Sequence, residues 1–232
     1  MIFLTGGTGR LGWELQKYIP CDAPKRDMFD LTKHDPSVNS AWRNEMFEDV
    51  RLIVHCAAYT DVLGAEVNRQ LCYDTNVIGT RNLVKLGIPM LYISTEYVFD
   101  GEKGNYDEND YPNPQNFYSL TKLLGEEEAR KGNSVVVRCL FKPNPFEHPV
   151  ACTDQWTSGD YVETIGKEIV RAIRIFNKLP PIVHIGTGRK STFELAKKSR
   201  DVRPCLRASL AVRLPRDTSL NTSLWEKIKN EN

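Results

Sequence analysis

Three glycines, Gly6, Gly9 and Gly12, stand directly behind the apolar run Ile2-Phe3-Leu4 and ahead of a helix-like stretch, and this order leaves few folds open. Strand, glycines and then helix is the layout of a dinucleotide-binding turn. Glycine is required there because the chain turns tightly, a pyrophosphate approaches bare backbone, and the helix packs close on the strand. The first N–H groups of the helix then face phosphate oxygens. The competing reading is a glycine-rich turn that only joins strand to helix, and the rest of the chain decides between them.

Short apolar runs alternate with amphipathic stretches along all 232 residues. The runs are Ile2 to Leu4, Leu52 to His55, Met90 to Ile93, Val135 to Val137 and Ile182 to Ile185. They are continuous rather than alternating, as suits strands of a parallel sheet covered on both faces. Helices are expected near Leu11 to Tyr18, Ser37 to Glu48, Ala65 to Leu86, Phe117 to Lys131, Tyr161 to Asn177 and Thr192 to Arg200, with a short one at Leu224 to Ile228. The alternation predicts an α/β fold, a Rossmann-like doubly wound parallel sheet with a small C-terminal lobe. A second strand is expected between Cys21 and Phe29. Proline-rich stretches at Glu108 to Pro114 and Lys142 to Pro149 predict loops beside a site.

Lys plus Arg (31) nearly balances Asp plus Glu (30), so no global field recruits nucleic acid or an anionic membrane. No apolar run approaches the roughly 20 residues needed to span a bilayer, and no signal peptide is evident, so a cytoplasmic chain is expected. The six cysteines are scattered without a C-x-x-C pair and the four histidines are isolated. That predicts free thiols, with Cys56 and Cys139 as small core residues, and no metal site.

Met90 to Ile93 runs into Ser94-Thr95-Glu96-Tyr97, which places the Thr95 hydroxyl beyond the carboxyl end of a strand, where open α/β sheets bind ligands. Tyr118 and Lys122 are four apart and share one helix face. An ammonium beside a phenol favours the phenolate, so Tyr118 is expected to have a lowered pKa and to exchange a proton with a carbonyl oxygen. The segment Lys25 to Leu31 bears on the cofactor's 2′ position. An acidic residue such as Asp30 suits a free hydroxyl and a cation such as Arg26 suits a phosphate, with solvated surface charge as the alternative.

These motifs resemble the extended short-chain dehydrogenases/reductases. More narrowly, Ser94 to Gly101, Glu108-Asn109-Asp110, Pro112 to Pro114 and Tyr118 to Glu126 are similar to the signature block of the dTDP-4-dehydrorhamnose reductase family. Ala57-Ala58-Tyr59-Thr60-Asp61, Asn76 to Thr80, Asp154-Gln155 and Pro215 to Leu220 resemble further motifs in the same order. The resemblance implies reduction of the C4 ketone of a nucleoside-diphosphate 4-keto-6-deoxyhexose by NADPH, with NADH also open. Thr95 would donate a hydrogen bond to the ketone oxygen, Tyr118 would protonate it, and Lys122 would tune the phenol and hold ribose hydroxyls. Gly6, Gly9 and Gly12, with the N–H groups of Arg10 and Leu11, would hold the pyrophosphate. Asp30 and Leu31 would lie near adenine, with Arg26 on a phosphate, and Ala57, Ala58 and Tyr59 beside the nicotinamide ribose.

The pattern departs from the family in two places. Glu96 stands where the family usually has aspartate, and the stretch from Cys139 to Thr153 replaces a longer insert. The expected division is therefore residues 1–138 for dinucleotide binding and 139–232 as an abbreviated substrate lobe with interleaved sheet elements. Glu96, Tyr97, Trp156 and Arg216 are its candidate substrate residues, against core packing for the aromatics and solvation for the arginine. The partner is a nucleotide-sugar, and a homodimer is compatible with the pattern. Two other readings stay open: an epimerase or dehydratase of the same fold, and a non-catalytic NADP-binding regulatory subunit.

Overall fold

The computed structural model describes residues 1–35, 46–211 and 213–231. Strands β1 (Ile2–Thr5), β2 (Leu52–His55), β3 (Met90–Thr95) and β4 (Ser134–Cys139) lie side by side in that order, and Ile182–His184 completes a five-stranded sheet. All its pairings are parallel. Alternate residues point to opposite faces of a strand, and both faces are apolar here. Leu4, Val54, Leu91 and Val137 join Leu11, Leu15, Ile165, Ile169 and Trp225 in one layer. Phe3, Ile53, Tyr92 and Val136 join Phe29, Phe47, Leu83 and Ala129 in the other. The fold is thus the expected doubly wound α/β arrangement.

The expected strand between Cys21 and Phe29 shrinks to one bridge. Asp22 pairs with Phe3, its N–H donating to the Ile2 carbonyl (2.9 Å) and its carbonyl accepting from Leu4 (2.7 Å). Polar residues and Pro24 follow immediately, so nothing extends the ladder. The expected helix at Ser37 to Glu48 lies, apart from its last residues, outside the described residues. The expected Ala65 to Leu86 helix is broken instead into Val62–Val67, Arg69–Tyr73, a π-helical turn Asp74–Ile78, and Gly79–Val84. Helix α1 is short, Arg10–Leu15, and Thr192–Ala196 likewise stops early.

The C-terminal part is interleaved with the sheet. It supplies the edge strand Ile182–His184 and the helix Val162–Arg174, whose Gly166 packs so close that a Cβ there would lie 2.8 Å from Glu14. The weakly patterned tail is more ordered than its sequence implies. Asp217 to Leu220 is buried and bridged to Trp156 and Tyr106, and fully buried Trp225 donates its indole N–H to Glu168 (2.9 Å). A separate small cluster of Phe146, Ala151, Tyr161, Leu195, Ala196 and Val202 forms the core of the lobe. Among the described residues no helix is long and apolar enough to cross a membrane.

Candidate active site

A cavity of about 650 Å³ opens along the carboxyl ends of β1 to β4. Its wall includes Gly6, Gly9, Arg10, Leu11 and Gly12 from the first turn, and Arg26, Asp30 and Leu31 from the next segment. Ala57 and Ala58 follow β2, while Thr95, Tyr97, Tyr118 and Lys122 close the far end. Residues far apart in sequence are therefore gathered by one sheet edge, where such sheets bind ligands.

The glycine turn is shaped by close approach. Gly6 has φ +73°, and a Cβ there would lie 2.6 Å from the Ala57 nitrogen. At Gly12 a Cβ would lie 2.2 Å from the Gly6 carbonyl oxygen. Gly9 is the residue preceding α1 and has no side chain to cap it, so the first N–H groups of the helix keep their donors for a ligand. The Arg10 side chain pairs at 2.5 Å with Glu147, which comes from the Lys142 to Pro149 loop and also reaches the cavity wall. The other proline-rich loop does not line the cavity. It packs on the sheet edge, where Glu108 accepts the His184 N–H at 3.0 Å. At the opposite end Asp30 accepts from the Thr32 N–H and hydroxyl (3.0 and 2.8 Å), with Arg26 at 3.8 Å. Burial raises the Asp30 pKa, but the Thr32 hydrogen bonds and the cations outweigh it and hold it below the usual value.

Thr95 ends β3, and its hydroxyl oxygen accepts from the Tyr97 N–H (3.2 Å), leaving its hydrogen to be donated. Tyr118 and Lys122 sit on the Phe117–Ala129 helix, started by Asn116, whose side chain accepts from the Ser119 N–H (2.9 Å). The expected lowering of the phenol pKa is corrected. Burial raises Tyr118, and the nearby Thr95 hydroxyl only tempers the rise. The ammonium is directed elsewhere: Lys122 donates to the Ile93 carbonyl (2.7 Å) and lies 4.2 Å from the centre of the Tyr92 ring. Burial pulls Lys122 down to about 8. Cys139 is a core residue, as expected, and also shows to the cavity, whereas Cys56 is only half-buried in its wall.

Beneath the cavity runs a hydrogen-bonded chain that the sequence did not announce. The Thr80 hydroxyl donates to the Asn76 carbonyl (2.7 Å), so it accepts from His55 Nε2–H (3.0 Å). His55 Nδ1 must then accept from the Thr5 hydroxyl (2.7 Å), whose oxygen is left to accept the Ala57 N–H (3.3 Å). Burial lowers the His55 pKa to about 3, which keeps the ring neutral. Asn76 sits in the π-helical turn, a device frequent at functional sites. Its amide accepts the Tyr59 N–H (2.8 Å) and donates to Thr121 (2.9 Å), whose hydroxyl donates to the Tyr118 carbonyl (2.7 Å). The glycine turn, the Ala57 to Tyr59 loop and the Tyr118 helix are tied together by these bonds.

Four expected site residues lie outside the cavity wall. Tyr59 contributes the backbone just described, and its hydroxyl accepts instead from Asn68 (3.4 Å). The face of Trp156 is covered by the Arg189 guanidinium at 3.8 Å, itself held to Asp217 at 2.8 Å, and Arg216 is exposed to solvent. Tyr97 reaches the wall while its hydroxyl accepts from Gln155 (3.1 Å) in the interior. Glu96 is wholly buried, one oxygen accepting from Thr218 (2.7 Å) and the other without a hydrogen-bond partner among the described residues. Burial raises its carboxyl to about 7, against the weaker pull of Thr157 and Thr218. Because the folded pKa lies above the unfolded value of 4.5, this group's stabilising contribution is full below pH 4.5 and is lost as pH rises through 7. Glu96→Gln should therefore flatten the fall in thermal stability between those pH values. An unchanged slope in melting scans across that window would contradict the assignment.

The family model for the RmlD substrate binding domain matches residues 1–141. The chain belongs to this family. The dTDP-4-dehydrorhamnose reductase of Mycobacterium tuberculosis is 33% identical over 136 residues, covering 54% of this chain and 44% of the relative. Methionine adenosyltransferase 2 subunit beta of Danio rerio is 44% identical over 79 residues, 33% of this chain and 24% of the relative. The matched stretch thus spans about half the length, or less, of the curated relatives. A crystal structure of dTDP-4-dehydrorhamnose reductase from Bacillus anthracis, in complex with NADP, superposes with a TM-score of 0.81 at 26% identity. That superposition covers 99% of this chain and 97% of the other. Thr95, Tyr118 and Lys122 fall within the residues that the RmlD family model matches, and all three line the cavity.

Proposed function

We propose that this RmlD-family chain is an NADPH-dependent oxidoreductase, with NADH as an alternative cofactor, that reduces the C4 ketone of a nucleoside-diphosphate 4-keto-6-deoxyhexose in deoxysugar-nucleotide biosynthesis. The observation that carries this reading is the convergence of the glycine turn, Thr95, Tyr118 and Lys122 on one cavity. The residues present fit the cofactor: the wall at Gly6, Gly9 and Gly12 has no side chain in the way, and α1 has no side-chain cap to compete with a phosphate. Arg10 and Leu11 would hold the pyrophosphate, Arg26 and Asp30 the adenosine ribose end, and Ala57, Ala58 and the Tyr59 backbone loop the nicotinamide side. When bound, the nicotinamide supplies hydride.

The chain's own residues handle the oxygen and its proton. The Thr95 hydroxyl, which lies beside the Tyr118 phenol, would turn its hydrogen to the ketone oxygen, and the raised pKa of Tyr118 keeps a proton on its phenol, ready for that oxygen. Lys122, released from the Ile93 carbonyl, would hold ribose hydroxyls. Residues 1–138 serve the cofactor and 139–232 the sugar nucleotide, with Tyr97 reaching the shared wall and Glu96, Trp156 and Arg216 supporting the lobe. Cytoplasmic residence and a homodimer belong to the same proposal.

Purified protein mixed with NADPH and dTDP- or UDP-4-keto-6-deoxyhexoses is expected to consume the reduced cofactor and form the reduced sugar, read by absorbance and mass spectrometry. Substrate conversion without net cofactor consumption points instead to an epimerase or dehydratase. A second reading, a non-catalytic NADP-binding regulatory subunit, draws on the 44% identical stretch shared with methionine adenosyltransferase 2 subunit beta. NADPH binding with no turnover across the whole sugar panel would favour it and end the reductase proposal.

A further inference from the structure

Away from the cavity, Val150–Cys152 and Arg203–Cys205 form a short parallel pair in which Cys152 and Cys205 are register partners, their Sγ atoms 3.4 Å apart. Both are free thiols, Cys152 buried and Cys205 half-buried. The other described thiol contacts are of a different kind: Cys72 meets the Thr121 hydroxyl and Cys139 the Ser94 carbonyl. Neighbouring strands lie about 4.8 Å apart, within the roughly 4.4–6.8 Å Cα separation that a disulfide spans. Bond formation therefore asks for movement of the two thiols toward each other and leaves the strand register in place.

We propose that Cys152 and Cys205 form a redox modification site, which a small disulfide such as glutathione disulfide converts to an intramolecular disulfide. Cys205 is the entry point because it is the more accessible. Its thiolate attacks one sulfur of glutathione disulfide, the S–S bond of the reagent breaks, and one glutathione leaves as thiol with the proton that Cys205 gave up. Cys152 then loses its proton and attacks the Cys205 sulfur of the mixed disulfide, expelling the second glutathione. Two protein thiols are oxidised and one glutathione disulfide is reduced to two glutathiones. Burial, and then the contact with Cys205, push the Cys152 thiol up, which favours Cys205 as the first thiolate to attack.

The bond would join residues 53 apart in the chain, at the base of two segments that already lean on each other. The Arg207 N–H donates to Asp154 (2.8 Å), and its guanidinium donates to the Leu214 carbonyl (2.7 Å). Next to Asp154, Gln155 holds the hydroxyl of Tyr97, which lines the cavity. Oxidation thus staples the outer lobe beside the site without touching the cavity itself.

The 232-residue chain treated with glutathione disulfide should fall from six titratable thiols to four. Non-reducing peptide mapping should then yield one cross-linked pair containing Cys152 and Cys205, reversed by dithiothreitol. The oxidised protein should melt several degrees higher. Cys152→Ser should stall at the mixed disulfide and carry one glutathione on Cys205, whereas Cys205→Ser should leave Cys152 unmodified. Glutathione appearing on other cysteines while Cys152 and Cys205 stay reduced would overturn the proposal, as would a cross-link between any other pair. The wild-type map decides the matter even if a serine variant fails to fold.

Discussion

Tyr118→Phe will lower kcat for carbonyl reduction by about 10²–10⁴-fold, the usual range for loss of a positioned proton donor. The Kd for NADPH should stay within about twofold, because the ring and its place on the Phe117–Ala129 helix are kept and only the hydroxyl is removed. Thr95 still donates to the ketone oxygen, but nothing at that position then completes the proton transfer. Stopped-flow cofactor oxidation and fluorescence titration separate the two quantities. A parallel loss of binding and turnover would mean that the phenol serves mainly to hold the cofactor, and full activity would remove Tyr118 from the chemistry.

Glu126→Ala is expected to destabilise the fold by about 3–5 kcal/mol, the cost typical of stranding one partner of a buried ion pair. Arg138 and Glu126 are exposed by only 3% and 1%, with Arg138 donating to both carboxylate oxygens, 2.7 Å at the shortest. The Ser94 hydroxyl donates to the same carboxylate, so β3, β4 and the helix carrying Tyr118 meet at one group. Removing the carboxylate leaves a guanidinium enclosed by protein, stacked 5.1 Å from the Phe99 ring centre and far from water. The double variant Glu126→Leu with Arg138→Met should lose less than Glu126→Ala alone, since it strands no charge. Urea unfolding of the two proteins tests this, and a Glu126→Ala loss below about 1 kcal/mol would show the pair to be of little consequence.

The parts legible in the sequence were those whose geometry is local. Gly6 to Gly12 behind an apolar strand, Thr95 at a strand end, and a helical four-residue step from Tyr118 to Lys122 all depend on near neighbours, and the structure brings them to one cavity. Readings that needed distant neighbours fared worse. Glu96 beside Thr95 reads as a substrate-facing carboxylate, yet Thr218, 122 residues away, meets it in the interior. The lysine four residues after Tyr118 suggests an ammonium at the phenol, while its actual acceptor is the carbonyl of Ile93 on β3. A period of 3.6 residues cannot reveal the one wide turn at Asp74–Ile78, although that turn aims Asn76 at Tyr59 and Thr121. Trp225 was missed because a lone aromatic in a polar tail carries no periodicity, whereas in space it fills the layer against Ile165 and Ile169.

The bonds through Thr5, His55, Thr80 and Asn76 all run one way, each hydroxyl or ring N–H giving its hydrogen onward. A second proton could enter the imidazole only if the Thr5 hydroxyl swung round and surrendered its acceptor. Burial holds the His55 pKa at about 3, against 6.5 for the ring in an unfolded chain, so below pH 6.5 the unfolded chain takes up a proton that the folded one refuses. His55 is therefore a built-in source of acid lability: its contribution to holding β1 beside β2 is full above pH 6.5 and is lost as pH falls from there toward 3.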